Sequence, residues 1–224
     1  ELAYSLLHIN ERIEKTKQAR LKSKRPSTQE LSVIPYKFAE IRYLPTESII
    51  IPSVSSEKRY YIPIGFLGAD DIIVAPNFAV YHAQPWLFAV LTSRIHMVWV
   101  RTVGGRLKTD YRYSAKLCYN TFPFPNISEK LKETLKEYVL CILDERAKYP
   151  EKTMAQLYDP DSMPAGLRLA HQQLDEAVER CYRLQPFSTD TERLEYLFRL
   201  YEEMIQKDTL FAKQKKKQTR KNKQ

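Results

Sequence analysis

Between residues 106 and 114 the chain reads RLKTDYRYS, and the charged members of that run are spaced to form hydrogen bonds along one line. Lys108, Asp110 and Arg112 alternate with Leu107, Thr109, Tyr111 and Tyr113. A period of two predicts a half-buried strand over residues 107–113, with the tyrosines on one face and the charges on the other. The outer face then carries a donor, an acceptor and a donor in a row. That order suits base edges in the major groove of a duplex. There an ammonium donates to guanine O6 and N7, and a carboxylate accepts from cytosine N4. Arg106 extends the row by one cation, and Ser114 ends it with a hydroxyl. Upstream, Ser55, Ser56, Lys58 and Arg59 form a polar loop suited to phosphate oxygens, which position a protein without reporting sequence.

The elements that must hold this row follow from hydrophobic pattern and punctuation. Residues 1–25 read as a polar, basic helix that stops before Pro26, and residues 31–34 begin the next element. Residues 49–51, 60–62 and 72–74 are short β-branched or aromatic runs broken by Pro52, Pro63, Gly65, Gly68 and Pro76, which are strand and turn signals. Pro85 opens a helix over 86–103 marked by Leu87, Leu91, Ile95 and Val98, and Gly104-Gly105 stop it. A second strand over 116–122 follows the polar one, until Pro123 and Pro125 end the sheet. Beyond Asn126 three helices are marked by Leu135 and Val139, by Leu167 and Leu174, and by Leu197 and Tyr201.

Charge is unevenly spread. The net charge is +9, with seven Lys/Arg against two Glu in residues 11–25 and seven Lys/Arg with no acid in residues 213–224. Residues 126–212 sum to about −5, a poor surface for a polyanion. Two basic segments on an otherwise acidic chain favour a nucleic-acid partner. The alternative for such segments is a solvated helix face and a disordered tail. A general nucleic-acid binder driven by the basic termini is therefore the second functional class to hold open. Cys118, Cys141 and Cys181 are scattered without metal spacing, which predicts buried thiols in a reducing cytoplasm. No apolar run reaches the ~20 residues of a membrane span. The chain opens on Glu1 in what reads as mid-helix, so a fragment of a longer protein is expected.

Catalytic signatures are weak. Gly104-Gly105 lacks the GK[ST] of a phosphate loop, and His8, His82, His96 and His171 show no HExxH spacing. Ser93 and His96 share a helical face without a nucleophile elbow, so a hydrolase using them is a minor alternative. Asp159 and Asp161 lack the rest of a calcium loop and read as a turn. Asn120 precedes Thr-Phe-Pro-Phe rather than the two prolines of an amino-methylating motif, and reads as structural.

Four blocks, IPSVSSEKRYYIPIGFL at 51–67, LTSRIHMVWVRTVGGRLKTDYRYS at 91–114, YNTFPFP at 119–125 and LYDPDSMPAGLRLAHQQLDEAV at 157–178, together resemble the C-terminal part of the MmeI-like DNA methyltransferases. The resemblance covers roughly residues 10–205. It implies a target recognition domain followed by a helical C-terminal region. With the pattern above, the expected chain is α+β: a basic linker helix at 1–25, an α/β-type target recognition domain with a small mixed sheet at 26–125, an all-helical region at 126–212 and a basic disordered tail at 213–224. It implies sequence-specific binding of double-stranded DNA for an adenine-N6 methyltransferase, in a prokaryotic cytoplasm and without a membrane. The S-adenosylmethionine site, the catalytic Asn-Pro-Pro-aromatic motif and, in many members, a nuclease lie in upstream domains, so the fragment itself is expected to lack cofactor, metal and catalytic residues. Matched to the family's recognition strand, Lys108, Asp110 and Arg112 are the base readers. Lys58, Arg59, Ser55, Asn77, Arg106 and Ser114 are the backbone-contacting or supporting residues.

Overall fold

The computed structural model describes residues 6–221, with side chains described as far as residue 207. The chain divides into two compact units that meet at residues 44 and 45. In the first, helix α1 (Leu7–Leu21) buries only Ile13. The expected helix over 1–25 ends at Leu21 because Pro26 forces Arg25 into an extended conformation, φ −98° and ψ 118°. Pro26 then opens the short helix α2 (Pro26–Glu30), which runs into a 3₁₀ turn (Leu31–Val33). Arg20 binds this corner together. Its guanidinium donates to the carbonyls of Leu31 at 2.8 Å, Ile34 at 2.9 Å and Lys37 at 2.6 Å.

The second unit begins with β1 (Ser48–Ile51), whose Ile49 and Ile51 are fully buried. It lies between β3 (Gly65–Leu67) and β4 (Phe78–Tyr81), antiparallel to both. A second three-stranded sheet is ordered β2 (Val54–Ser55), β6 (Asp110–Arg112), β5 (Gly105–Leu107), also antiparallel throughout. The single mixed sheet expected from sequence is thus two small antiparallel ones. Residues 60–62 and 72–74 are not strands. Tyr61 and Ile62 are buried in irregular chain, and Ile72 and Val74 are exposed.

The expected helix over 86–103 is two helices, α3 (Pro85–Thr92) and α4 (Arg94–Val103). One hydroxyl makes the break. Ser93 Oγ donates to the Val90 carbonyl at 2.6 Å, ending α3, and accepts from the His96 amide, capping α4. The strand expected over 116–122 is instead a π-helical turn (Ala115–Tyr119) whose first turn Ser114 caps through the Leu117 amide. Gly104 lets the chain leave α4 directly into β5, because a Cβ there would lie 2.5 Å from the Val100 carbonyl oxygen.

Four helices complete the unit: α5 (Glu129–Ala147), α6 (Met154–Leu157), α7 (Ala165–Arg180) and α8 (Asp190–Lys221). Helix α8 continues past residue 212. Side chains of the expected basic tail at 213–224, and residues 222–224 altogether, lie outside the described residues. One hydrophobic core spans both sides of residue 125, from Ile49 through Phe88, Trp99 and Phe122 to Leu174 and Leu197. No helix among the described residues is long and apolar enough to cross a membrane. Cys118 is buried, but Cys141 is exposed and Cys181 only half-buried, which corrects the expectation of three buried thiols.

Buried polar bonds tie the irregular chain after β2 to the C-terminal helices. The Tyr61 hydroxyl donates to Asp175 Oδ2 on α7 at 2.7 Å, and the Tyr61 ring stacks on His171 at 4.2 Å. Asp175 Oδ1 accepts from the Arg94 amide at 2.6 Å, so one carboxylate holds both the loop and the start of α4. Arg146 of α5 donates to the Ile64 carbonyl at 3.0 Å and to the Tyr158 hydroxyl at 2.8 Å. Beside this clasp Arg193 of α8 makes a buried two-pronged pair with Glu179, at 2.6 and 3.1 Å.

Burial outweighs these hydrogen bonds for Asp175 and raises its carboxyl to about 7, far above the ordinary aspartate value. The folded chain therefore binds this proton more tightly than the unfolded chain. The stability it contributes is complete below about pH 4 and lost as pH rises through 7, by roughly 4 kcal/mol at most. Asp175→Asn keeps an acceptor for the Arg94 amide and removes the titration. Urea midpoints should fall more steeply from pH 5 to pH 8 in the wild type than in this variant; equal slopes would refute the assignment.

Candidate nucleic-acid interface

The run from Arg106 to Arg112 is a hairpin rather than one strand. Leu107 pairs with Asp110, and Lys108 and Thr109 form the two-residue turn between them. Lys108 stands at its tip with φ 57°. That left-handed conformation suits a hairpin turn and is unusual for a lysine. The turn rearranges the expected row. Arg106 pairs with Tyr111 and so shares its face, opposite to Asp110 and Arg112. Its guanidinium lies 4.1 Å above the Tyr111 ring and donates to the Thr109 carbonyl at 3.2 Å. Arg106 therefore braces the hairpin and does not extend the row.

The alternation does hold along β6. Tyr111 and Tyr113 are buried, Arg112 is exposed and Asp110 is partly so. Tyr113 anchors the ribbon twice. Its amide donates to the Ser53 carbonyl at 2.8 Å, and its hydroxyl is bonded to His96 Nε2 at 3.1 Å. Burial pushes the His96 ring down to about 3, so it is neutral, and one hydrogen is shared between Nε2 and the Tyr113 hydroxyl. The result is a stiff inner edge with Lys108, Asp110 and Arg112 projecting from the ribbon. Two donors flank a carboxylate, a set able to match the donor and acceptor pattern of a base pair.

The neighbouring loop is tied to the same ribbon. Ser55 is buried in β2 opposite Tyr111, and its hydroxyl accepts from Arg59 at 3.4 Å. The Glu57 amide donates to Asp110 Oδ1 at 3.4 Å, leaving Oδ2 open. Arg101 of α4 donates to the Arg59 carbonyl at 3.4 Å and pairs with Asp190 at 3.8 Å. Lys58 is exposed and Arg59 partly so. Two supporting candidates fall elsewhere. Asn77 sits at the turn into β4 of the other sheet, where its amide donates to the Val74 carbonyl at 3.4 Å. The Ser114 hydroxyl is occupied in capping the π-helical turn.

Sequence reasoning missed Glu57, whose tie to Asp110 is a backbone bond and leaves no mark on residue type. It also missed Asp175. The available signal was an acid beside Leu174 on the helix face that carries His171. The Ser93–His96 pair is not a hydrolytic site, since both are buried and their hydrogen bonds serve helix ends and Tyr113. Asp159 accepts from the Asp161 amide at 2.9 Å as a turn does. No metal-binding cluster occurs among the described residues.

An L-residue in the left-handed region carries ~1–2 kcal/mol of strain. Lys108→Gly should therefore leave unfolding stability unchanged or raise it by up to ~1 kcal/mol. Guanidinium titration checks this, and a loss of stability would mean that the lysine side chain itself holds the turn.

Comparison with known proteins agrees with this architecture. Residues 1–126 match the family model for the MmeI target recognition domain, and residues 127–209 match that for the MmeI C-terminal domain. The chain is 48% identical over 199 residues to DNA methyltransferase A of Bacillus subtilis (strain 168), covering 89% of this chain and 22% of that protein. It superposes with a TM-score of 0.84 on the solved structure of the type IIL restriction–modification enzyme MmeI in complex with DNA. That match is at 40% identity and covers 88% of this chain and 26% of the other. The chain thus spans about a quarter or less of the length of these relatives. With both models matched in order along a single chain, it belongs to the MmeI family, as a target recognition domain followed by the C-terminal domain.

Proposed function

We propose that this chain reads the sequence of duplex DNA through the major groove, with the β5–β6 hairpin as its reading element. The observation that carries the reading is the hairpin's two-sidedness. Tyr111 and Tyr113 lock one face into the core, while Asp110 and Arg112 stand on the other face and Lys108 at the turn, with hydrogen-bonding capacity open to solvent. A two-stranded ribbon fits the major groove, and a bidentate contact there carries ~1–3 kcal/mol of discrimination. Lys108 donating to guanine and Asp110 accepting from cytosine would select one G·C pair in one orientation. Lys58 and Arg59 would meet phosphates beside it and fix the register.

Recognition of this kind serves chemistry done elsewhere in the protein. Family membership supports delivery of an adenine to a methyltransferase domain that uses S-adenosylmethionine and acts at N6. Such a domain must flip the base out of the stack to reach it. The upstream domain of the same chain would hold the cofactor and the catalytic motif, and this segment would supply address rather than reaction. Names of the relatives support it: one is a DNA methyltransferase, the other a restriction–modification enzyme solved with DNA. A bacterial cytoplasm is the compartment such an enzyme requires.

The test is a charge swap. In the full-length protein Lys108→Glu combined with Asp110→Arg should reverse the preferred orientation of one G·C pair. Mapping methylated positions across a genome or plasmid reads the outcome. An unchanged recognition sequence in an active double variant would refute the assignment.

A further inference from the structure

We infer that the basic face of α1 is a second DNA surface, one that grips backbone phosphates and reads no bases. This inference rests on duplex DNA being the partner. The first unit carries seven cations between residues 12 and 25, and they behave in two ways. Arg20 is internal to the unit, its guanidinium taken by three carbonyls. Arg12, Lys15, Lys17, Lys22, Lys24 and Arg25 have no carboxylate within ion-pair distance among the described residues, and all but the half-buried Lys17 are exposed. By contrast, Lys132 and Lys136 of α5, and Lys148 at its end, each pair with a glutamate three residues away. Glu11 and Glu14 neutralise none of the cations of α1 in that way.

The helix period gathers these charges. Arg12, Lys15, Thr16, Ala19, Lys22 and Ser23 recur at spacings of three and four, so they share one side of α1. Between that side and α2 lies a shallow groove of about 570 Å³, lined by Lys15, Thr16, Ala19, Arg20, Ser23 and Thr28. Small side chains make its floor and cations its edges. A small floor lets an extended polyanion approach closely. The groove is shallow and widely open to solvent, which suits a continuous backbone better than an enclosed small anion. The side that carries Arg12, Lys15, Thr16 and Ala19 is cationic, polar or small, and the exposed Leu7 and Leu21 of α1 fall on the opposite side by helical spacing, so this side offers little apolar area to a protein partner. Cations without carboxylate partners favour a ligand whose binding releases counterions, which is the signature of nucleic acid.

Phosphate gripping and base reading leave different traces in binding data. In the full-length protein, Arg12→Gln, Lys15→Gln and Lys22→Gln together remove three exposed charges and leave Arg20 in place, so the helix corner keeps its internal bonds. Dissociation constants for a cognate and an unrelated duplex are measured between 50 and 200 mM salt. The variant should show a log–log salt slope shallower by about 2–3 and at least ~10-fold weaker binding at low salt, equally on both duplexes. The ratio of cognate to unrelated affinity should not move. An unchanged slope overturns the inference, and so does a loss confined to the cognate duplex or to single-stranded RNA. A wild type without sequence preference, whose salt slope the variant still cuts, would overturn the reading function and leave this surface standing.

Discussion

The second unit depends on one buried carboxylate. Asp175 accepts from the Tyr61 hydroxyl and from the Arg94 amide, so a single side chain of α7 holds the loop after β2 and the first turn of α4. Removing one partner of a buried hydrogen bond commonly costs ~1–3 kcal/mol, because the remaining polar group is left unsatisfied in a medium of low polarity. The network is broad as well as deep. His171 stacks under Tyr61 and bonds to Tyr158, Tyr158 bonds to Arg146, and Arg146 reaches the Ile64 carbonyl. Loop, sheet edge and helical region are therefore one mechanical body. The segment 56–59 leaves β2 at Ser55 and enters the clasp at Tyr61, so its freedom is bounded at both ends.

That constraint matters because a base-reading side chain must be held within a fraction of an ångström while remaining uncovered. The hairpin meets both demands by dividing its faces. Arg106 over Tyr111, and Tyr113 on His96, occupy the inner side. Asp110 and Arg112 lie on the other side of β6, and Lys108 occupies a strained turn where a glycine or asparagine would sit more comfortably. Strain of this kind persists only where the surroundings over-determine it, and it concentrates at functional positions.

Much of this was legible in the residues, and the failures have physical causes. Alternation identified the faces of β6 correctly because Tyr111 and Tyr113 bury and Arg112 does not. The same alternation concealed the hairpin. Lys108-Thr109 carries no glycine or asparagine to announce a turn, so a strand of seven residues was the simpler reading, and Arg106 fell on the wrong side. At 86–103 the hydrophobic spacing was sound, but a serine hydroxyl can end one helix and begin another without disturbing it. Tyr61 has the composition of a strand residue, yet its place is set by a hydrogen bond to a residue 114 positions away. Local pattern carries no trace of such a pairing.

Charge separates the tasks that remain. The C-terminal helical segment is net acidic, about −5 over residues 126–212, and three of its lysines, Lys132, Lys136 and Lys148, pair with glutamates three residues away. A net acidic segment is a poor phosphate binder, so in the proposed reading its contribution is positional. It acts through Asp175 and Arg146 on the loop, and through Asp190 on Arg101, which in turn meets the Arg59 carbonyl. The cations that the proposed reading brings to DNA stand on the hairpin, on the loop at 58–59 and on α1. The first two are few and held in place, as selectivity requires. Those on α1 are many and free of carboxylate partners, as affinity without selectivity requires. A reader that drew most of its binding from the hairpin would hold tightly only at its own site. On the proposed reading, with the larger electrostatic share on a separate surface, the protein would rest on any duplex while the hairpin tests its sequence.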